Sequence, residues 1–440
     1  MFRGRFAAGG KFSDCGVAKR PRRVAPISAC PSRDRVPLPP ARVRCHVHLV
    51  LRLHRLTLTD FRNYAALAWR PRAPISVLIG PNGSGKTNLL EAVSLLVPGR
   101  GLRGARGVDL PRRDGPGNWA VAGRFSTVLG ETDIGTGTAP DGSSDRRVFR
   151  LDGATPRNQA EIASRAAAVW LTPRMDRLFQ EGASGRRRFL DRLVWALDAG
   201  HAREVAAHDG AMAQRNRLLA EGRAEAAWLA GLEDAMTRHG VAATAARMAL
   251  VRRLNDLSVD DGGAWHAEFP AAQIGVVCAI ADRLAVSPAL EVEDWLRATL
   301  AVNRRRDAAS GTAVVGAHRA EMTLTDLTTR TGSGLASTGQ QKTLLIGLIL
   351  SHARLVAEAR GFAPLLLLDE PAVHLDAARR ASLFRALRES PAQVIMTGTD
   401  AETFRPLADQ AEAWRVDAGE LHREAGFFVG SPLSSGFGTC

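Results

Sequence analysis

Lysine is nearly missing from this chain. Of 59 lysines and arginines, only Lys11, Lys19, Lys86 and Lys342 are lysine. Tyrosine occurs once, at Tyr64, and aromatic residues make up 5% of the whole, which argues against a nucleic-acid surface built on extensive base stacking. The five cysteines (Cys15, Cys30, Cys45, Cys278, Cys440) show neither metal-ligand spacing nor an even-numbered disulfide framework. That pattern suits a reducing cytosol. Long apolar runs are also absent. Leu344 to Leu350 is far too short to cross a bilayer, so no membrane role is expected.

What is present fits a globular protein with room for two or three domains in 440 residues. The net charge of +14 is uneven. Residues 1–49 carry eleven Lys/Arg against Asp14 and Asp34, so +9 lies there and +5 in the rest. A mildly basic body is compatible with binding a phosphate backbone without demanding it. Residues 1–48 are rich in Arg and Pro without apolar periodicity. They are expected to be a disordered extension, of the kind a start assigned too far upstream would produce.

The organising stretch is Ile75-Ser-Val-Leu-Ile79 followed by Gly80-Pro-Asn-Gly-Ser-Gly-Lys-Thr-Asn88. Ile75, Val77, Leu78 and Ile79 predict a short buried strand, and Leu89, Leu90, Ala92, Val93, Leu95 and Leu96 recur at helical spacing. Between them, Gly80-x-x-x-x-Gly85-Lys86-Thr87 has the phosphate-loop pattern with strand and helix on the required sides. Gly83 and Gly85 let successive N–H groups turn toward one anion, and the helix N-terminus adds partial positive charge. Lys86 supplies a point charge for the β- and γ-phosphates of ATP, and the Thr87 hydroxyl suits Mg²⁺.

Before this stretch, Leu51, Leu53, Leu56 and Leu58 predict a strand and Asp60 to Tyr64 a turn. After it, Pro98 to Arg106 is a basic glycine-rich loop. Trp119 to Phe125, Gly130 to Gly135 and Arg147 to Leu151 read as antiparallel strands. From Gly185 to about Leu300 helical spacing dominates, with Leu190, Leu193, Val194 and Leu197 on one face, and Leu229, Leu232 and Met236 on another. Gly200, Gly240 and Gly262-Gly263 are expected to break this run into a bundle or short arm. A return strand is expected at Gly311 to Gly316.

Pro364 to Pro371 is a continuous apolar strand ending in Asp369-Glu370. At the C-terminal end of a parallel strand, Asp369 suits the Mg²⁺ shell, and Glu370 suits a general base for the attacking water. Upstream, Ser337-Thr338-Gly339-Gln340 lies ahead of an apolar helix expected over Thr343 to Leu350, where hydroxyl and N–H groups can cap the helix and bind an anion. Lying about thirty residues before the acidic strand, it matches the signature loop of the ABC ATPases. The fold expected is therefore α/β: an ABC-type P-loop ATPase head with an inserted helical lobe. Its parts are an ATPase lobe at 49–184, a helical arm at 185–305, the second part of the ATPase lobe at 306–425, and a flexible tail at 426–440.

The chain resembles the RecF family within the DNA-repair branch that includes the SMC proteins. The resemblance rests on Leu58 to Tyr64, Gly80 to Ala92, Leu367 to Pro371, Trp170 to Pro173, Gly185 to Asp191, Gln214 to Asn216, Val315 to Arg319 and Ser337 to Lys342. It implies a cytoplasmic, nucleoid-associated, ATP-dependent DNA-binding protein that dimerises around two nucleotides. By the same resemblance its partners are RecO and RecR, and indirectly RecA, and its ATPase is weak and DNA-stimulated. It also implies that Gly80 to Asn88 (Gly80, Pro81, Asn82, Gly83, Ser84, Gly85, Lys86, Thr87, Asn88) bind nucleotide, flanked by Arg62 and Asn63. Lys86 and Glu370 would be catalytic, Thr87 and Asp369 metal-binding. Ser337, Thr338, Gly339 and Gln340 would reach across the dimer, and His374-Leu-Asp376 would meet its twin. There are departures: Ala317 stands where the family usually has proline, Gly101-Leu102 replace a commoner Ser-His, and Thr399 stands where many ABC ATPases carry a switch histidine.

Two other readings share the motifs. An ABC transporter's nucleotide-binding subunit would not carry the Phe61-Arg-Asn-Tyr64 opening or so long a helical insertion. An ATP-gated dimerisation module without significant hydrolysis would not need Glu370. For DNA, Arg186-Arg187-Arg188 and Arg304-Arg305-Arg306 are the candidate phosphate contacts.

Overall fold

The computed structural model describes residues 49–127, 129–139, 141, 147–222, 225–259, 269–425 and 427. The expected extension at 1–48 lies outside them, as does the expected tail at 426–440 apart from Phe427, which is buried in the core.

Apolar residues dominate the strands at the centre of the molecule, and those strands are covered on both faces. A six-stranded sheet runs in the order Glu420–Arg423, Ala411–Asp417, Ile75–Ile79, Val394–Gly398, Leu365–Leu368, Ala168–Leu171. All neighbours pair in parallel except the outer Ala411–Asp417 and Glu420–Arg423. Such burial requires unbroken apolar sequence, which Ile75–Ile79 and Leu365–Leu368 supply. The alternating segments instead build a five-stranded antiparallel sheet, ordered Tyr64–Trp69, Arg52–Phe61, Ala120–Thr127, Gly130–Thr138, Arg147–Leu151. Its inward residues, Leu56, Leu58, Val121, Phe125 and Ile134, join the same core.

Strand order decides what meets at the site. Val394–Gly398 lies between the strand entering the phosphate loop and the strand ending in Asp369. Gly398 pairs with Ile79, and Leu368 pairs with Met396. The loops that follow the three strands therefore leave the sheet at one edge, where ligands bind in open α/β sheets.

The insertion contains Ala183–Leu197, His201–Glu221, Ala226–Val259, Ala279–Leu284, Ala289–Val302 and Arg304–Ser310 as helices. It has a core of its own around Met236, Val241, Ile280, Val292, Leu296 and Leu300. Buried among these helices, Arg215 donates to Glu233 (2.9 Å), Asp307 (2.8 Å) and the carbonyl of Leu300 (2.8 Å).

Three expectations fail here. Gly240 does not break a helix; Ala226–Val259 runs through it. Gly262-Gly263 lies outside the described residues, and only Gly200 separates helices as expected. Gly311 to Gly316 forms no strand, because side chains take its backbone groups. Asp307 accepts from Val314 N, and His318 and Arg319 donate to the carbonyl of Ala313. The strand in that region is Glu321–Asp326, antiparallel to Ala272–Val277. The helix expected from Thr343 begins at Thr338 and reaches Arg360, so Gly339 sits in its first turn.

Candidate nucleotide site

The loop Gly80 to Gly85 is held from outside by residues of the antiparallel sheet. The Tyr64 hydroxyl donates to the carbonyl of Gly85 (3.1 Å), and Asn63 Nδ2 donates to the carbonyl of Ser84 (3.2 Å). Asn88 Nδ2 in turn donates to Asn63 Oδ1 (2.7 Å). Gly85 has φ of 114°, and a Cβ there would lie 2.4 Å from Asn63 Nδ2, so neither backbone nor packing admits another residue. Burial pushes the Tyr64 phenol's pKa upward, keeping it neutral and a donor.

Lys86 opens the helix Lys86–Leu95 and folds back over the loop, donating to the carbonyls of Gly80 (2.7 Å) and Pro81 (2.8 Å). Burial lowers its pKa, while the charges of Glu370 and Asp369 act in the opposite direction. The Ser84 hydroxyl is buried in the loop without a hydrogen-bond partner among the described residues. A phosphate oxygen would satisfy it, so the loop's chemistry fits an anion.

Thr87 Oγ1 donates to Asp369 Oδ1 at 3.0 Å, joining residues 282 positions apart in sequence. Thr397 Oγ1 lies 2.8 Å from the same oxygen and also accepts from Glu370 N at 2.8 Å. Asp369 has a raised pKa because burial outweighs these hydrogen bonds and the charges of Arg103 and Lys86. A buried carboxylate short of positive charge, beside a hydroxyl, is a hard oxygen donor set that fits Mg²⁺. Glu370 follows on the same rim, half-buried, and among the described residues no hydrogen bond engages its carboxylate.

Other expected site residues lie elsewhere or have other partners. Arg62 forms a bidentate pair with Glu91 (2.9 and 2.8 Å). Arg103, from the basic loop, reaches Asn88 Oδ1 (2.6 Å) and Glu91 (3.2 Å), so this loop packs on the phosphate-loop helix. Ser337 and Gln340 form a reciprocal capping box, and Thr338 and Gly339 belong to that same first turn. Their hydrogen bonds close on their own helix, and none reaches Gly80 to Thr87. Thr399 is exposed just beyond its strand. Of the arginine clusters, Arg186 pairs with Glu321 and Arg304 with Glu233, which leaves Arg188, Arg305 and Arg306 as the exposed members.

Sequence reasoning missed Thr397 and the supporting roles of Tyr64 and of Lys342; the latter is buried and reaches Asp176 (3.2 Å) and the Glu370 carbonyl (3.1 Å). A signal for Thr397 was present: a hydroxyl at the end of an otherwise apolar strand, Val-Ile-Met-Thr-Gly.

Comparison with known proteins shows the family and the fold. The family model for the RecF/RecN/SMC N terminal domain matches residues 52–419. The chain is 45% identical over 372 residues to the DNA replication and repair protein RecF of Mesorhizobium japonicum, covering 84% of this chain and 97% of that one. The chain belongs to the RecF family. RecF of Brucella suis biovar 1 is 43% identical over 370 residues, covering 84% of this chain and 95% of its own length. Among solved structures, one described as the recombination mediator protein RecF-ATPrS in the RecFOR pathway superposes with a TM-score of 0.74 at 22% identity. It spans 85% of this chain and 98% of its own, and shows that the α/β ABC-type ATPase head is the RecF fold. With RecF relatives matched over nearly their whole length, the transporter reading is set aside. Among the described residues no helix is long and apolar enough to cross a membrane.

Proposed function

We propose that this RecF-family chain is an ATP-gated DNA clamp of recombinational repair and replication restart. Two protomers close head to tail around two ATP molecules, the closed dimer grips gapped or duplex DNA through its backbone, and hydrolysis reopens it. The observation that carries this reading is the Thr87–Asp369 hydrogen bond, which assembles the phosphate-loop and acidic-strand halves of one site. Lys86 binds the β- and γ-phosphates, exchanging its loop carbonyls for phosphate oxygens. The Ser84 hydroxyl and the loop N–H groups complete the cradle. Thr87 and Asp369 would hold Mg²⁺, which supplies charge neutralisation between the phosphates. Glu370 orients and deprotonates the attacking water.

Head-to-tail closure is supported by what the signature turn leaves on the surface. Ser337, Thr338 and His374 are exposed, and so is Leu335, at 87%. RecO and RecR are the proposed partners, with RecA loading as the outcome, and DNA is the proposed stimulus of a slow ATPase.

Sedimentation of the protein with and without ATP·Mg²⁺ and a short gapped duplex, at low and high salt, tests the clamp. ATP-dependent dimers that carry DNA and release it as salt rises are expected. Glu370→Gln is expected to accumulate the closed ATP-bound dimer. A monomer indifferent to both ligands, or unchanged turnover in Glu370→Gln, would overturn the reading.

A further inference from the structure

Two segments singled out in the sequence, Gly185 to Asp191 and Val315 to Arg319, have no part in the nucleotide site. They converge in the helical insertion on a cavity of about 170 Å³ lined by Arg187, Arg188, Asp191, His208, Arg247 and His318, among others. The carboxylates there are already taken. Asp191 holds Arg247 through both oxygens (2.7 and 3.0 Å) and also His201 (2.8 Å). Asp209 holds His208 Nδ1 (3.0 Å).

The cations are not matched in the same way. Among the described residues Arg187 makes one long hydrogen bond, to the carbonyl of Ala320 (3.4 Å). Among the described residues, Arg188 makes none. Burial, and then the neighbouring Arg247, lower the Arg187 pKa, while the charges of Asp191 and Asp209 act in the opposite direction. Both of those carboxylates are hydrogen-bonded to other groups.

The two histidines show the same deficit. Their rings stack with centroids 5.6 Å apart. His318 donates from Nε2 to the Ala313 carbonyl, and His208 donates from Nδ1 to Asp209. Each ring therefore has one nitrogen left, His208 Nε2 and His318 Nδ1, and both are buried without partners among the described residues. His208 is only 2% exposed. The two nitrogens lie near each other beside Gly316: a Cβ added there would lie 2.7 Å from His318 Nδ1 and 3.3 Å from His208 Nε2.

We propose that this cavity is a second anion site, which takes a phosphate group between the Arg187 and Arg188 guanidiniums and the His208 and His318 rings. Arginine forks match phosphate oxygens, and each free imidazole nitrogen becomes a donor on taking up a proton. A cation is disfavoured by three guanidiniums. The phosphate comes either from a free phosphate species or from a nucleic-acid backbone, and the site stands independently of the nucleotide loop.

Binding is coupled to proton uptake. In the free protein, burial first, and then the charges of His208, Arg319 and Arg187, push His318 down to about 4, while the Ala313 hydrogen bond opposes them. A bound anion reverses that balance. The groups facing the rings are Arg187, Arg188 and Asp191 from one helix, Asp209 from the second, Arg247 from the third and Arg319 from the following turn. Of these, only the carboxylates oppose protonation loss, and both have partners already. Phosphate affinity should therefore rise as pH falls.

The test uses full-length Lys86→Ala protein, in which the nucleotide loop is weakened, with inorganic phosphate as the probe. Phosphate should raise the melting temperature, more at about pH 6 than at about pH 8. Calorimetry in buffers of different ionisation enthalpy should show net proton uptake. Both effects should vanish when Arg187→Gln and Arg188→Gln are added, and fall several-fold with the exposed Arg188→Gln alone, a change that leaves the core intact. Displacement of phosphate by a short duplex would identify the backbone as the source; retention would identify free phosphate. No phosphate effect in the Lys86→Ala protein, an effect that survives loss of both arginines, or stabilisation by Zn²⁺ in place of phosphate would overturn the proposal.

Discussion

Lys342 Nζ donates to the carbonyl oxygen of Glu370 at 3.1 Å, across 28 residues of chain. The peptide N–H of Glu370 is held on its other side by Thr397 Oγ1. Glu370 has φ of 50°, a left-handed conformation that costs a non-glycine residue about 1–3 kcal/mol and persists only where its surroundings enforce it. The lysine of the signature helix and the hydroxyl of the neighbouring strand supply that enforcement. The proposed base is thus aimed by its backbone while its carboxylate stays available.

From this, Lys342→Met and Thr397→Val are each expected to lower kcat by about tenfold, near 1.4 kcal/mol, with ATP affinity little changed. Thr397→Ser keeps the oxygen and should restore the rate. Single-turnover hydrolysis beside equilibrium nucleotide binding decides it. A Ser variant as slow as Val would count against positioning.

Tyr64→Phe removes one hydrogen bond to the phosphate loop, at the Gly85 carbonyl. The stability loss should be near 1 kcal/mol. Because that bond shapes the loop, nucleotide affinity should fall several-fold. Fluorescent-nucleotide titration and denaturant melts of the same protein would separate the two effects. Unchanged affinity would show that Asn63 holds the loop unaided.

Asp369 yields a prediction in pH. Its pKa is raised in the folded chain by burial, so the neutral acid is favoured by folding. Its contribution to stability is present below the unfolded pKa and is lost as pH rises through the folded one. Asp369→Asn should therefore melt higher than the parent at neutral pH in the absence of nucleotide and divalent ions. That gain should shrink toward acid, while Mg²⁺-dependent hydrolysis is lost. Equal melting temperatures at neutral pH would contradict a strained carboxylate.

In the helical insertion, Arg215→Met leaves Glu233 and Asp307 buried, with only Arg304 still paired to Glu233. Breaking such a network costs roughly 3–5 kcal/mol. Thermal melts should show a clear loss, whereas changing the exposed Arg305 should alter stability little.

The chain's sequence by itself determined the elements whose causes lie within a few residues. The strand, glycine loop and helix around Gly80 to Thr87 are contiguous, so their geometry follows from local sterics and apolar spacing. The acidic end of Leu365–Leu368 was legible for the same reason. The helix start at Thr338 was also local, in the Ser337/Gln340 capping box, but apolar spacing hid it because the first turn is polar. Tertiary structure decided the rest. Thr397 joins the site because its strand lies between two others, an order that apolar pattern does not encode. Gly240 has its reason there too. A Cβ at that position would lie 3.1 Å from His208 Cδ2, so the residue that reads as a helix breaker is where two helices come close. Packing outweighs the roughly 1 kcal/mol that glycine costs a helix, and partners on different elements are settled only when the chain has folded.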